Sequence, residues 1–149
     1  MLKPPVYVFT DFDGTITRED LGDKIFDVFG RFSEYYPRLT SGELSVPEYW
    51  RLLAASLKGG TTPDVLRSWA KEQPADEHFR GFVEFCREKN IPLTVVSDGF
   101  DVYIDAVLER EAAEAERAEE RGDVGHGESF PVGVRRRRGA RPGAGHRRA

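Results

Sequence analysis

The fold is decided by one stretch near the N-terminus, Val6-Tyr7-Val8-Phe9-Thr10-Asp11-Phe12-Asp13-Gly14-Thr15. Its first half, Val6 to Thr10, is β-branched and aromatic, which predicts a buried strand of a parallel sheet. Its second half consists of residues that favour turns, so the chain is expected to leave the strand in a loop. Open α/β sheets bind their ligands at the carboxyl ends of their strands. An acidic loop in that position therefore marks a candidate site.

A second strand-like run covers residues 91–96 and ends in Ser97-Asp98-Gly99. The preceding residues, Asp76 to Lys89, have apolar positions at helical spacing, and Asn90 is a plausible stop signal. Between the two strands lie about seventy residues that show helical rather than strand patterns. The predicted helices cover residues 19–29, 46–57 and 62–71, with a shorter helical turn at 32–36.

These patterns predict an α/β protein with a partial parallel sheet and a helical insertion. Residues 1–17 and 74–110 would form an incomplete α/β core, and residues 18–73 would form a helical cap inserted into it. A further helix is expected over residues 101–110. The single cysteine, Cys86, excludes an internal disulfide and lies on an apolar helix face, so it is assigned to the core.

The composition changes after residue 110. Residues 111–149 consist mostly of Glu, Ala, Arg and Gly, which predicts a helical extension to about residue 121 and then a disordered tail. Residues 135–149 contain seven arginines and no acid, so a net charge of −4 for the whole chain leaves −11 for the first 134 residues. This change suggests a truncated or frameshifted reading of a longer gene. Such a chain would expose an unpaired sheet edge and apolar faces.

The acidic loop has the chemistry of phosphoryl transfer. Asp11 is a carboxylate that can attack phosphorus, and Asp13 can protonate the leaving group and later activate water. A divalent cation is needed between carboxylate and phosphate, and Mg²⁺ suits these oxygen ligands. Gly14 permits a tight turn with backbone N–H groups close to the phosphate, and the hydroxyl of Thr15 can hold the loop.

The second strand end offers a phosphate cradle. Ser97 supplies a hydroxyl there, and the backbone around Asp98 and Gly99 supplies N–H groups. The helix expected to begin near Asp101 places its N-terminus at the same point, which favours an anion. We therefore expect both strand ends to bind one phosphoryl group.

Together these residues resemble a known family. The run from Val8 to Thr17 and the run Val95-Val96-Ser97-Asp98-Gly99-Phe100 resemble the first two motifs of the haloacid dehalogenase superfamily. A helical insertion after the first motif is similar to the C1-type cap of its phosphoserine phosphatase-like branch. Within that branch, the sequence is most similar to phosphatases of methionine salvage, which act on 2-hydroxy-3-keto-5-methylthiopentenyl-1-phosphate.

The resemblance assigns roles to individual residues. It implies that Asp11 is the nucleophile and a Mg²⁺ ligand, and that Asp13 is the acid and base, with its backbone carbonyl on the metal. It implies that Ser97 binds phosphate. Asp20 falls where phosphoserine phosphatases place a substrate-contacting Glu, although an acid at a helix N-terminus is equally expected there.

The sequence departs from the family pattern in its last part. The family uses a lysine and a later Gly-Asp-x-x-x-Asp loop, but no lysine follows Lys89. The segment from Gly122 to Glu128 resembles that loop only superficially, and no strand is predicted before it. Arg110 could supply positive charge, although nothing in the sequence positions it.

Three functions follow as hypotheses. The first is a Mg²⁺-dependent phosphatase acting on a small phosphorylated metabolite in the cytoplasm. The second is a catalytically inactive fragment. The third is nucleic-acid binding through the basic run from Arg135 to Arg138, which we do not favour because no aromatic residues are interleaved with it. No apolar run is long enough for a membrane helix, and the oligomeric state cannot be predicted.

Overall fold

The computed structural model describes residues 6–121 and 132–136. Its sheet contains β1 (Val8–Thr10), β2 (Leu93–Ser97) and β3 (Val132–Arg136), in the order β1-β2-β3. Both neighbouring pairs are parallel, and β1 pairs with β2 in the register Val8↔Leu93 to Thr10↔Val95. The parallel α/β architecture predicted from the sequence is therefore confirmed.

Strand β3 lies in the segment for which no structure was predicted, so that expectation is wrong for residues 132–136. β-Branched Val132 and Val134 alternate with other residues, as strands favour. Strand β3 pairs with the free edge of β2, in the register Leu93↔Val132 and Val95↔Val134. This edge supplies the hydrogen-bonding partner that a single strand lacks on its own. The remaining residues of the predicted tail, 122–131 and 137–149, lie outside the described residues.

Four helices occupy the chain between β1 and the return to the sheet: α1 (Leu21–Phe29), α2 (Phe32–Thr40), α3 (Val46–Ala55) and α4 (Pro63–Lys71). Side chains define where they begin. Asp20 accepts the backbone N–H of Asp23 and caps α1, so this helix begins two residues later than predicted. Ser45 and Glu48 form a capping box on α3.

Helix α2 is longer than the short turn predicted at residues 32–36. It continues through Pro37 to Thr40, and the carbonyl of Pro37 accepts both the hydroxyl of Thr40 and the backbone N–H of Ser41. Leu39 packs against the core, which gives the helix a reason to continue past the proline. Apolar packing outweighs the helix-breaking tendency of Pro37 at this position.

The chain returns to the sheet beside the point where it left. Thr17 and Ala75 form an antiparallel bridge, and the backbone N–H of Asp76 donates to the carbonyl of Ile16 at 2.7 Å. Helix α5 (Phe79–Glu88) comes next along the chain. Just before it, the side chain of Asp76 accepts the backbone N–H of His78. The two connections to the helical insertion are thereby held side by side.

Helix α6 (Asp101–Glu120) follows β2 and extends beyond Arg110, as the sequence predicted. Its first half is deeply buried, with Tyr103, Ile104, Ala106 and Val107 at most 1% exposed. Glu111 is also buried, between the guanidinium groups of Arg80 and Arg110. Cys86 is buried in the core, as predicted.

The sheet is packed on one face within the described residues. Leu93 and Val95 point into the core, whereas Tyr7 and Phe9 are 61% and 66% exposed and Val96 is 39% exposed. The prediction that residues 6–10 form a buried strand is therefore wrong: Val6, Tyr7 and Phe9 are exposed, and Val8 and Thr10 are only partly buried. In the described part of the chain, only one face of β1 packs against the core. In the part of the chain that the structure describes, no helix has the length and apolar character needed to cross a membrane.

Candidate active site

The two predicted strand ends lie side by side. Asp11 directly follows β1, and Ser97 is the last residue of β2. Because Thr10 pairs with Val95 in a parallel ladder, Asp11 and Ser97 both lie at the carboxyl end of the sheet. Asp11 is exposed and Ser97 is buried. Oδ1 of Asp11 accepts the backbone N–H of Phe12 at 2.7 Å, which fixes the orientation of its carboxylate.

The loop after β1 is built around the carbonyl of Phe12. This oxygen accepts the backbone N–H groups of Thr15, Ile16 and Thr17 at 3.2, 2.9 and 3.1 Å. The buried hydroxyl of Thr17 donates to the same oxygen and to the carbonyl of Glu19. The hydroxyl of Thr17 therefore holds the loop, as was predicted for the hydroxyl of Thr15, which faces solvent instead.

Gly14 lies at the tip of this loop with φ +68°, a left-handed conformation that favours glycine. A Cβ there would meet no neighbouring atom, so the requirement comes from the backbone conformation rather than from space. The tight turn predicted at Gly14 is therefore confirmed. Whether its N–H faces a phosphate stays a prediction.

Both carboxylate oxygens of Asp13 accept hydrogen bonds. The backbone N–H of Leu21 donates to Oδ1 at 2.8 Å, and the hydroxyl of Tyr103 donates to Oδ2 at 2.6 Å. Burial raises the pKa of Asp13 above its ordinary value, although these two hydrogen bonds act in the opposite direction. Burial and the bond to Asp13 also raise the pKa of Tyr103, so this hydroxyl stays protonated and donates. A carboxyl group with a raised pKa suits a general acid.

The second strand end forms its own turn. The backbone N–H of Gly99 donates to Oγ of Ser97 at 3.0 Å, which orients the serine hydroxyl. A Cβ on Gly99 would lie 2.1 Å from the hydroxyl oxygen of Tyr103 and 2.9 Å from Oδ2 of Asp13. Glycine is therefore required here for close packing between the two motifs.

A cavity of about 360 Å³ opens in front of Asp13. It is lined by residues of the first loop, α1, α3, the second strand end and α6: Asp13, Asp20, Gly22, Asp23, Trp50, Asp98, Gly99, Phe100 and Tyr103. Asp20 caps α1 and also lines the cavity, and its contact with a substrate stays a prediction. Asp98 and Gly99, both predicted site residues, line the cavity as well. Asp11, Gly14, Thr15 and Ser97 are not among its lining residues.

Five cavity residues were not predicted: Gly22, Asp23, Trp50, Phe100 and Tyr103. Tyr103 could have been found, because it lies one helical turn after Phe100 and so faces the same strand end. Trp50 could not, because its position depends on how α3 packs across the insertion. Leu53, three residues further along, is completely buried and belongs to the core.

The donor atoms at the strand ends suit Mg²⁺ in their chemistry. The carboxylate of Asp11 and the backbone carbonyl of Asp13 are hard oxygen donors, and Mg²⁺ is commonly held by one or two carboxylates together with water and phosphate. The side chain of Asp13 is already engaged by Leu21 and Tyr103, which leaves its carbonyl as the available donor. Within residues 6–121, no group of three or more His, Cys, Asp or Glu side chains could hold a metal ion by itself.

Arg110 is not available to the site. Its guanidinium group donates to the carbonyls of Lys71 and Gln73 and pairs with Glu111, on the side where the helical insertion returns to the sheet. The segment from Gly122 to Glu128 lies outside the described residues. The basic run from Arg135 to Arg138 is described only in its first two residues, as backbone, so nucleic-acid binding stays an untested alternative.

Comparison with known sequences settles the family. The profile of haloacid dehalogenase-like hydrolases matches residues 8–141, which is most of the chain. The chain belongs to the haloacid dehalogenase-like hydrolases. The resemblance inferred from the two strand-end motifs is therefore confirmed, and the first of these motifs begins at the first matched residue.

Several known proteins are similar to this chain. The 2-hydroxy-3-keto-5-methylthiopentenyl-1-phosphate phosphatase of Geobacillus thermodenitrificans is 35% identical over 114 residues, covering 72% of this chain and 50% of that protein. The bifunctional enzyme MtnB/MtnX of Bacillus licheniformis is 37% identical over 118 residues, or 73% of this chain and 26% of that protein. Polyol phosphate phosphatase PYP1 of Saccharomyces cerevisiae is 31% identical over 106 residues, which cover 69% of this chain and 44% of that protein. The chain spans half or less of the length of these relatives.

Proposed function

We propose that this chain hydrolyses a small phosphorylated metabolite, with Asp11 as nucleophile, Asp13 as general acid and base, and Mg²⁺ as the cofactor. The observation that carries the proposal is the pairing of β1 with β2, which brings Asp11 and Ser97 to one sheet edge. The names of the relatives support it, since they include phosphatases of a phosphorylated keto compound and of polyol phosphates.

The reaction would proceed in two displacements. A carboxylate oxygen of Asp11 attacks phosphorus, the P–O ester bond breaks, and the proton of Asp13 passes to the leaving alkoxide. Asp13 then takes a proton from water, whose oxygen attacks phosphorus and releases phosphate from Asp11. Each proton lost by Asp13 is thereby regained, and the enzyme returns to its starting state.

The contacts of Asp13 support this role. Its raised pKa favours the protonated form needed in the first displacement, and its two hydrogen bonds fix its position beside the cavity. Mg²⁺, bound by Asp11 and the carbonyl of Asp13, would offset the repulsion between carboxylate and phosphate. Ser97 and the N–H groups near Gly99 would bind phosphate oxygens. Helices α1–α4 would act as the cap that covers the leaving group.

Phosphate release from p-nitrophenyl phosphate tests the proposal. Purified protein with Mg²⁺ is expected to release phosphate above the buffer rate, and Asp11→Asn is expected to lower kcat by about a thousandfold or more. A chelator should abolish turnover reversibly. The alternative of an inactive chain predicts no turnover by the wild-type protein at any Mg²⁺ concentration, and that result would end the proposal.

A further inference from the structure

The cavity in front of Asp13 has walls of two kinds. Its lining includes the acidic residues Asp20, Asp23 and Asp98 and the aromatic residues Trp50 and Phe100. No lysine, arginine or histidine is among its lining residues within the described part of the chain. A substrate that places only neutral or anionic groups here would leave these carboxylates without an electrostatic partner.

The rings of Trp50 and Phe100 pack edge to face. Trp50 and Phe100 have their centroids 5.8 Å apart and their planes at 84°, and each is about 40% exposed. Buried Phe26 lies 6.0 Å from both centroids and supports them from the core side. Both rings line the cavity, and their packing against a buried side chain restricts their orientations.

Two of the acids that line the cavity lie at the start of α1, Asp20 as its N-cap and Asp23 in its first turn. Oδ1 of Asp20 accepts the backbone N–H of Asp23 at 2.9 Å, and neither side chain pairs with a basic residue within residues 6–121. Burial, then the charges of Asp20 and Asp13, raise the pKa of Asp23, as expected for a carboxylate without a nearby cation. The carboxylates also do not converge on a metal ion of their own.

We propose that this cavity selects a phosphomonoester whose alcohol part carries an ammonium group, that is, an amino-alcohol phosphate. The inference rests on the proposed phosphatase function and names its substrate class. Asp20 and Asp23 would supply the opposite charge, and the rings of Trp50 and Phe100 would contact the alkyl groups on nitrogen. An alcohol that carries a carboxylate would be repelled by the same residues.

Two esters of equal shape test the inference. Phosphocholine carries a quaternary nitrogen, and neohexyl phosphate has carbon in its place, so the two substrates differ in charge alone. We expect kcat/KM for phosphocholine to exceed that for neohexyl phosphate by about tenfold, since a carboxylate and a ring each favour the cation. A ratio of one or less in the wild-type protein would overturn the inference.

Substitutions of the cavity acids test whether they are the source of this preference for the charged ester. Asp23→Asn and Asp20→Asn should each bring the ratio of the two kcat/KM values most of the way to one. Asp27→Asn is the matched control, because Asp27 is an exposed acid of the same helix that does not line the cavity, and it should keep the wild-type ratio. An unchanged ratio in both Asp20→Asn and Asp23→Asn would overturn the inference.

A binding experiment separates this inference from the phosphatase proposal. If none of the esters is hydrolysed, the proposed function fails, and choline itself becomes the probe. In a Trp69→Phe background, the fluorescence of Trp50 should change on titration with choline and much less with neohexanol. Asp23→Asn should weaken the choline response. Equal responses to the two alcohols would overturn the inference whatever the outcome of the turnover assay.

Discussion

Tyr103 donates a 2.6 Å hydrogen bond to Oδ2 of Asp13, across 90 residues of sequence. Tyr103 lies in the first turn of α6, and its side chain is almost completely buried. The bond links the loop after β1 to the helix after β2, so the two motifs are held together by a side-chain contact in addition to the strand ladder. Gly99 makes room for it, because any side chain there would collide with the tyrosine hydroxyl.

The first prediction concerns this close packing. Gly99→Ala should lower the free energy of unfolding by about 1–3 kcal/mol, the usual range for overpacking in a core. The added Cβ would lie 2.1 Å from the hydroxyl oxygen of Tyr103 and 2.8 Å from its Cζ. Adding Tyr103→Phe removes the nearer atom, so the double variant should recover part of the loss. Urea denaturation of the four proteins in this cycle measures the coupling.

Gly59→Ala serves as the control for that cycle. A Cβ on Gly59 would meet no atom within 4 Å, so this substitution should change the stability by no more than about 0.5 kcal/mol. Strict additivity of Gly99→Ala and Tyr103→Phe would contradict the contact between the two residues.

The second prediction concerns pH and stability. Burial raises the pKa values of Asp13 and Asp23 above the ordinary value of 3.8, so the folded state binds their protons more tightly than the unfolded chain does. This contribution is fully present below pH 3.8 and is lost as pH rises through the raised folded pKa values. Asp23→Asn should therefore make stability fall less steeply between about pH 4 and 7.

Chemical denaturation at several pH values checks this expectation. Asp64→Asn is the matched control, because Asp64 is an exposed acid in the first turn of α4, just as Asp23 lies in the first turn of α1. The control should leave the wild-type slope in place. If Asp23→Asn steepened the fall in stability, the assignment of Asp23 as a desolvated carboxylate would be wrong.

Much of this fold and part of the site followed from the sequence. The two strands, their parallel pairing and the helices between them follow from local patterns, because apolar spacing and capping residues are properties of short segments. The positions of Asp11, Asp13 and Ser97 could be predicted for the same reason, since each stands at or just beyond a strand end. The loop of Asp13 was less predictable: the buried hydroxyl that holds it belongs to Thr17, two residues beyond the one expected.

What the sequence did not indicate depends on long-range packing. Trp50 reaches the cavity because α3 crosses the insertion next to Phe26 and Phe100, and no local pattern specifies that crossing. Strand β3 forms against the edge of β2, and its alternating valines acquire strand character through that pairing. Glu111 looked like one acid of a solvated helix, yet it is buried between two arginines from different helices.

The third prediction concerns that buried acid. Glu111→Gln should lower the free energy of unfolding by about 2 kcal/mol, less than the usual cost of breaking a buried ion pair because Arg80 is partly exposed. Glu109→Gln is the matched control. Glu109 belongs to the same helix as Glu111 and pairs with Arg67 of α4 on the surface. Exposed ion pairs of this kind contribute at most about 1 kcal/mol to stability. Thermal and urea denaturation would measure both variants, and a larger loss for Glu109→Gln would contradict the burial of Glu111.

The account depends most on Asp11 as the group that accepts the phosphoryl group. Protein incubated with Mg²⁺ and p-nitrophenyl phosphate, quenched in acid and analysed by peptide mass spectrometry, would show where that group resides. We expect one added phosphoryl group, on the peptide that contains Asp11, and none in Asp11→Asn. Turnover without an adduct on that peptide, or turnover retained in Asp11→Asn, would contradict the account.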